Sequence, residues 1–272
     1  MSRTAPDGTR RAGRNLIWAA AVATVFGTMQ TVWQPAQSAP QGALPAGFVY
    51  LRDVDPSIEQ DMRYAGYDNF VGHPLPGYDA PECVLRREAA AALKQVQADL
   101  AASNLKLKVY DCYRPTRAVR AMAQWAGDGR AGGATKRYYP KLQKQNLFAL
   151  RYIASRSEHS AGTTVDLTIV PIGHPPVAAF DRAASYGACT GPAAQRSPDD
   201  SVDMGTGYDC FDVASHTAST AVGAEQRRWR NVLVAAMGKR GFRNYHREWW
   251  HFTYRGAGSG GQYDFPIRPR LN

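Results

Sequence analysis

Two stretches of this chain carry residue types that together could activate water for hydrolysis. One is Ser157-Glu158-His159-Ser160-Ala161-Gly162-Thr163-Thr164-Val165-Asp166; the other, well downstream, is Asn244-Tyr245-His246-Arg247-Glu248-Trp249-Trp250-His251. Two imidazoles and one carboxylate, His159, Asp166 and His251, form a ligand set that suits catalytic Zn2+ and leaves a fourth position for water. Glu248 is a spare carboxylate beside the second histidine, able to take that water's proton. Neither stretch has the i to i+4 spacing of a helical histidine pair, so a loop-and-strand site is required. Gly162 would let the chain fold back between His159 and Asp166. Residues three apart in a straight strand face opposite sides, so Glu248 is expected at the bent start of the strand that carries His251. The residues read as a metallopeptidase.

The elements that must position these groups follow from periodicity. Phe48 to Val54 reads as an entry strand, followed by an ordered Pro/Gly/Tyr-rich loop. Arg86 to Ser103 carries apolar residues near a 3.6 spacing and predicts a helix. Leu105, Leu107 and Val109 alternate with Lys106, Lys108 and Tyr110, which predicts a strand running into Asp111-Cys112-Tyr113-Arg114-Pro115. Pro115 suits the first position of a helix reaching Trp125, which sets Arg114 at a strand-to-helix junction. Thr163, Val165, Leu167 and Ile169 predict a second strand that turns Asp166 to the other face. Residues 171–217 are too rich in Pro, Gly, Ser and Asp for a helix and read as a long loop or lid. Ala224 to Arg240, closed by Gly241, is amphipathic, and Trp249 to Tyr254 is a third strand. The expected fold class is α+β, a mostly antiparallel central sheet flanked by helices in a single domain with a long insert.

Length and composition agree with one catalytic domain over residues 40–272, because 272 residues with 44% hydrophobic and 11% aromatic content can build a sizeable core. Residues 1–39 read as a signal peptide: arginines at 3, 10, 11 and 14, an uncharged run from Leu16 to Met29, and small residues before Ala39. Export to the periplasm or the medium follows; an uncleaved anchor over 16–33 is the alternative, weakened by Gly27, Thr28, Gln30 and Thr31. Losing the leader takes the formal charge from +10 to +7, since four arginines and Asp7 go with it. The basic residues are scattered singly among acids, so no nucleic-acid partner is expected, and no membrane span in the mature form. Cys83, Cys112, Cys189 and Cys210 allow two disulfides in three connectivities. Pairing Cys83 with Cys112 and Cys189 with Cys210 is preferred, because the second pair would staple the irregular insert; free buried thiols are the alternative. His73, His174, His216 and His246 read as structural, and Trp249 and Trp250 as core and pocket wall.

Ser157-x-His159-Ser160-x-Gly162-x-x-x-Asp166-Leu167-Thr168, Glu248-Trp249-Trp250-His251 and Asp111-x-Tyr113-Arg114-Pro115 resemble the D-alanyl-D-alanine dipeptidase family, zinc peptidases that split the free D,D-dipeptide. Arg63-Tyr64-Ala65, Asn69-Phe70-x-Gly72 and Asp203-Met204-Gly205-Thr206 extend the likeness over about residues 48 to 255. The resemblance implies zinc on His159, Asp166 and His251, Glu248 as acid/base catalyst, and Arg114 beside the scissile carbonyl. A dipeptide has both termini charged; Asp203, with Asp212, is expected to meet the ammonium, and Ser157 with a tyrosine from the 64–78 region the carboxylate. Asp111 and Tyr113 complete the expected substrate contacts. The extra cysteines and the length of 171–217 depart from the family pattern. Two other readings stand beside an exported dipeptidase of cell-wall metabolism: a D,D-carboxypeptidase or endopeptidase trimming peptidoglycan stems, and a zinc-containing binding module without catalysis.

Overall fold

The computed structural model describes residues 44–257 and 260–271. The expected leader over 1–39 and the alternative anchor over 16–33 lie outside them. In chain order the elements are β1 (Phe48–Tyr50), α1 (Leu51–Val54), β2 (Glu59–Gln60), β3 (Val84–Arg86), α2 (Arg87–Ala101), β4 (Leu105–Asp111), α3 (Thr116–Gly127), β5 (Thr164–Pro171), α4 (Ala224–Lys239), β6 (Phe242–Asn244) and β7 (His251–Tyr254). A five-stranded sheet runs β2-β4-β5-β7-β6, parallel only between β2 and β4, and β1 pairs antiparallel with β3. The fold class is α+β, as the pattern of elements predicts. Among the described residues no helix is long and apolar enough to cross a membrane.

The entry strand is shorter than its sequence suggests. Asp55 N–H closes on Leu51 O at 2.8 Å, so residues 51–54 form one helical turn instead of continuing β1. Pro115 occupies the N-cap of α3 and not its first helical position, a one-residue difference of the kind helix ends commonly show.

β5 is the central strand. Val165, Leu167 and Ile169 join Leu93, Val96, Leu107, Val109, Leu233, Met237 and Phe252 in the main core. Thr164, Asp166 and Thr168, on the alternate positions, are just as buried, because the insert after β5 covers that second face. Lys108 Nζ and Tyr110 Oη on β4 donate to Asp199 at 2.6 and 2.7 Å, and Arg63 donates to the same carboxylate at 2.9 Å. Val202 N–H donates to Ile169 O at 3.0 Å. From α4, the fully buried Arg230 donates to Met204 O at 2.6 and 2.8 Å and to His216 O at 2.7 Å. Both disulfides form with the preferred pairing, Cys83–Cys112 and Cys189–Cys210. The insert forms no strand: its backbone groups are satisfied by turn and inter-loop backbone bonds together with side chains such as Arg230.

Burial alone would raise the Asp199 carboxyl, but Lys108 and Arg63 outweigh it and hold its pKa down at about 2. A pKa depressed on folding adds stability that is present above the unfolded value, near 3.9, and is lost as pH falls through the folded one. With 23% of the side chain exposed, the contribution is discounted to about 1–2 kcal/mol at neutral pH. Asp199→Asn should therefore lower the neutral-pH melting temperature and flatten its decline between about pH 4 and 2. An unchanged acid limb in a melting-temperature profile would show that Asp199 does not hold the insert.

Candidate metal centre and cleft

The sheet register brings the first two chemical groups together. Asp166, on β5, lies opposite His251, the first residue of β7, and opposite Asp111 at the end of β4. Cross-strand partners share a face, so the Asp166 carboxylate and the His251 ring meet at 3.1 Å, Oδ1 to Nδ1. His159 arrives from a 3₁₀ turn, Glu158–Ala161, whose N-cap Ser157 accepts the His159 N–H through Oγ at 3.3 Å. Gly162 ends that turn at φ +75°, and a Cβ there would lie 2.3 Å from the Phe48 ring. The chain can double back to Asp166 only through a glycine.

The three donor atoms form a nearly equilateral triangle. His159 Nε2 lies 3.2 Å from Asp166 Oδ1 and 3.2 Å from His251 Nδ1, against the 3.1 Å third side. A tetrahedral zinc with bonds of about 2.0 Å has its ligand atoms about 3.3 Å apart. His159 Nδ1 is 2.7 Å from Cys112 O, an acceptor only; that nitrogen therefore carries a proton, and Nε2 is the ring atom turned to the other two donors. Asp166 Oδ1 is buried and receives no aligned hydrogen bond, although both imidazole nitrogens approach it. Asp166's other oxygen accepts from Tyr208 Oη at 3.0 Å. Lone pairs converging at this distance, one of them anionic, fit a divalent cation. Among the described residues this is the one cluster of metal-ligating side chains so disposed.

The charges around the triangle are split. Burial would raise Asp166, but His159 and His251 hold it well below the usual carboxylate range. His251 is raised despite burial, because Asp166 and Glu248 face it. Glu248 goes the other way: burial pushes its carboxyl up, beyond what His251 recovers. It lies in the turn before β7, where Glu248 N–H donates to Tyr245 O at 2.9 Å and Asn244 Nδ2 donates to both Glu248 O and His251 O at 3.0 Å. That turn folds its carboxylate to 3.5 Å from His251 Nδ1. Arg114 reaches the cleft with its guanidinium fixed to Asp111 at 2.7 and 2.9 Å, 3.7 Å from Asp166 Oδ2 and over the Tyr64 ring at 4.9 Å.

These groups line a cleft of about 510 Å³. Ser157, His159, Asp166, Glu248, His251 and Arg114 all border it, and Tyr64 supplies a tyrosine from the 64–78 region. Four other expected contacts do not. Asp203 caps its own turn by accepting Gly205 N–H at 2.9 Å and pairs with Arg196 at 2.8 Å and Gln226 at 2.9 Å, so it is a turn residue held away from the cleft. Asp212 caps Ala214 N–H at 2.9 Å and pairs with Lys141 at 3.0 Å. Asp111 is wholly buried behind His159, accepting from Tyr78 at 2.6 Å while it anchors Arg114. Tyr113 stacks on Phe265, ring centroids 4.1 Å apart, and donates to Phe265 O.

The sequence reading missed Asp209. It is 5% exposed, borders the cleft and accepts from Tyr64 Oη at 2.7 Å. Burial, and then repulsion from Asp166, push its carboxyl well up. Its φ of +56° is uncommon for a residue with a side chain, and only its place between Tyr208 and a half-cystine signals it in sequence. Trp249 and Trp250 are core, 1% exposed each, and Trp249 Nε1 donates to Thr206 Oγ1 at 2.9 Å.

The sequence model of the peptidase family described as D-ala-D-ala dipeptidase matches residues 45–182 and 178–268. The chain is 33% identical over 225 residues to the D-alanyl-D-alanine dipeptidase of Streptomyces coelicolor, covering 81% of this chain and 98% of that protein. It is 31% identical over 206 residues to the D-alanyl-D-alanine dipeptidase of Enterococcus faecalis, covering 76% and 90%, and 30% identical over 223 residues to that of Enterococcus faecium, covering 82% and 98%.

Asp166→Ala removes the anionic corner of the triangle and should abolish stoichiometric binding of a divalent metal, read by equilibrium dialysis with elemental analysis. Retention of one equivalent by that variant would place the metal elsewhere.

Proposed function

This chain belongs to the D-ala-D-ala dipeptidase family and is a metallopeptidase, and we propose that it is a zinc D,D-dipeptidase that hydrolyses D-alanyl-D-alanine and related dipeptides. The triangle of His159, Asp166 and His251 donors at 3.1–3.2 Å is the observation that carries the reading. We further propose that it acts after export, on dipeptides from cell-wall metabolism; the leader-like residues 1–39 and the two disulfides support this.

Zn2+, when bound, would supply Lewis-acid polarisation of the scissile carbonyl and a water of lowered pKa. His159, Asp166 and His251 would hold it. Glu248 accepts the proton of the attacking water and passes it to the leaving amine, and its raised pKa suits a group that must both take and return a proton. Arg114, kept rigid by Asp111, faces the negative charge that develops on the carbonyl oxygen. Asp209 receives the substrate ammonium: a carboxylate raised by burial and by Asp166 gains most from a cation brought beside it. Asp166 and Asp209 are buried where they border the cleft, while Arg151, Arg156, Arg243 and Arg255 border it as exposed residues with no side-chain partner among the described residues. That polarity orients a zwitterion with its amino end inward.

A D,D-carboxypeptidase remains the second reading, favoured by one observation: 510 Å³ is far more room than two alanine residues fill. Release of D-alanine from D-Ala-D-Ala and from an N-acetylated peptide ending in D-Ala-D-Ala, compared in metal-loaded protein, separates the two. Activity on the free D,D-dipeptide, with little on its L,L isomer or the acylated peptide, is expected; no turnover of the free dipeptide would sink the first reading. Glu248→Gln should keep its metal and lose about 10²–10⁴ in kcat. Asp209→Asn should raise KM for the free dipeptide by about tenfold or more, since an unpaired buried ammonium contact costs about 1–3 kcal/mol, and should narrow the gap to the acylated peptide.

A further inference from the structure

The two groups that hold the metal-facing side chains from behind both belong to segments gripped by a disulfide. Cys112 O fixes the His159 ring by accepting from Nδ1 at 2.7 Å, and Cys112 is bonded to Cys83. Both sulfurs are fully buried. Beside that bond, Tyr113 N–H donates to Val84 O at 2.9 Å, so the segments 83–84 and 112–113 are joined at two adjacent points. The clamp falls where β4 needs one, because its register with β5 shifts between Val109 and Asp111 and a bulged strand end is otherwise free to re-aim its carbonyls.

The second disulfide repeats the arrangement on the other side of the triangle. Tyr208 Oη holds Asp166 Oδ2 at 3.0 Å. Cys210, two residues on, is bonded to Cys189, and Gly207 N–H donates to Cys189 O at 2.8 Å. Tyr208 and Asp209 therefore sit in a four-residue span closed at both ends onto Cys189. Asp209 keeps its positive φ within that span.

We propose that Cys83–Cys112 and Cys189–Cys210 are positioning elements of the metal centre, one aiming His159 through the Cys112 carbonyl and the other aiming Asp166 through the Tyr208 hydroxyl. The inference rests on the reading of His159, Asp166 and His251 as metal ligands. Loosening an outer-shell partner of a metal ligand typically weakens the metal about 10–100-fold.

The test measures the Zn2+ dissociation constant by chelator competition, and the visible absorption of the Co2+-loaded protein, well below each variant's melting temperature. Cys83→Ala/Cys112→Ala and Cys189→Ala/Cys210→Ala are compared with Leu93→Ala, a truncation on α2 within the main core at a residue that does not border the cleft. Each double variant should weaken Zn2+ about 10–100-fold and alter the Co2+ bands; Leu93→Ala should lower the melting temperature yet bind both ions as wild type does. Double variants that melt early but keep wild-type affinity and spectrum would overturn the proposal, leaving the disulfides as stabilisers only. If the fully buried pair does not fold without its bond, the pair in the irregular insert carries the same test through Tyr208. Wild-type protein that binds no metal would instead defeat the ligand reading itself.

Discussion

Three lone-pair donors, one of them a carboxylate oxygen, are forced to within 3.2 Å of one another at the centre of this protein. As bare lone pairs these donors repel one another, so a metal ion or protons on the imidazoles must offset both that repulsion and the desolvation of Asp166. Much of the architecture is what keeps it in place. Asp166 and His251 are adjacent because β5 and β7 pair in that register, and a slip of either strand by one residue would turn its member of the pair to the opposite face. His159 depends on the left-handed turn at Gly162 and on the carbonyl behind its ring. A metal held by these donors would bind through contacts that the fold itself sets.

The second face of β5 shows how a polar site is buried without loss of order. Lys108, Tyr110 and Arg63 present a charged, aromatic surface to which Asp199 and its neighbours are complementary. The insert satisfies these groups where an apolar cover would strand them. Tyr208, stacked on Tyr110 with ring centroids 4.6 Å apart, then extends this layer inward to Asp166, so the contacts that fix the insert run on to those that fix Asp166.

Strands β4, β5 and β7, helices α2, α3 and α4, and the types of the three clustered donors are legible in sequence because they depend on period and spacing, whereas the two- and three-residue strands β2, β3 and β6 are too short to show a period. Residues whose roles depend on backbone direction within irregular segments were not. Asp203 and Asp209 are both acidic, both in the insert and six positions apart, yet Asp203 folds onto Gly205 while Asp209 is turned to the cleft by a positive φ. Neither orientation leaves a mark in composition. Asp111 shows a related limit. It sits opposite Asp166 in register, but its carboxylate is taken up by Arg114, three residues on, and by Tyr78 from a distant loop, and that second contact no local pattern encodes.

The same packing that gathers the carboxylates also separates their behaviour. Asp166, Asp209 and Glu248 share one small volume, and like charges so close cannot all be ionised at little cost. The structure resolves the conflict by environment. Asp166 faces two imidazoles and stays charged, whereas Glu248 and Asp209 are desolvated and displaced upward. Carboxylates driven apart in this way are suited to different tasks, and the roles proposed above for Asp166, Glu248 and Asp209 follow that division. The turn before β7 is what permits the division: in a regular strand Glu248 and His251 would point to opposite faces, but Asn244, bound to both carbonyls, bends the chain so that Glu248 overhangs the metal-facing edge of His251 without entering the triangle.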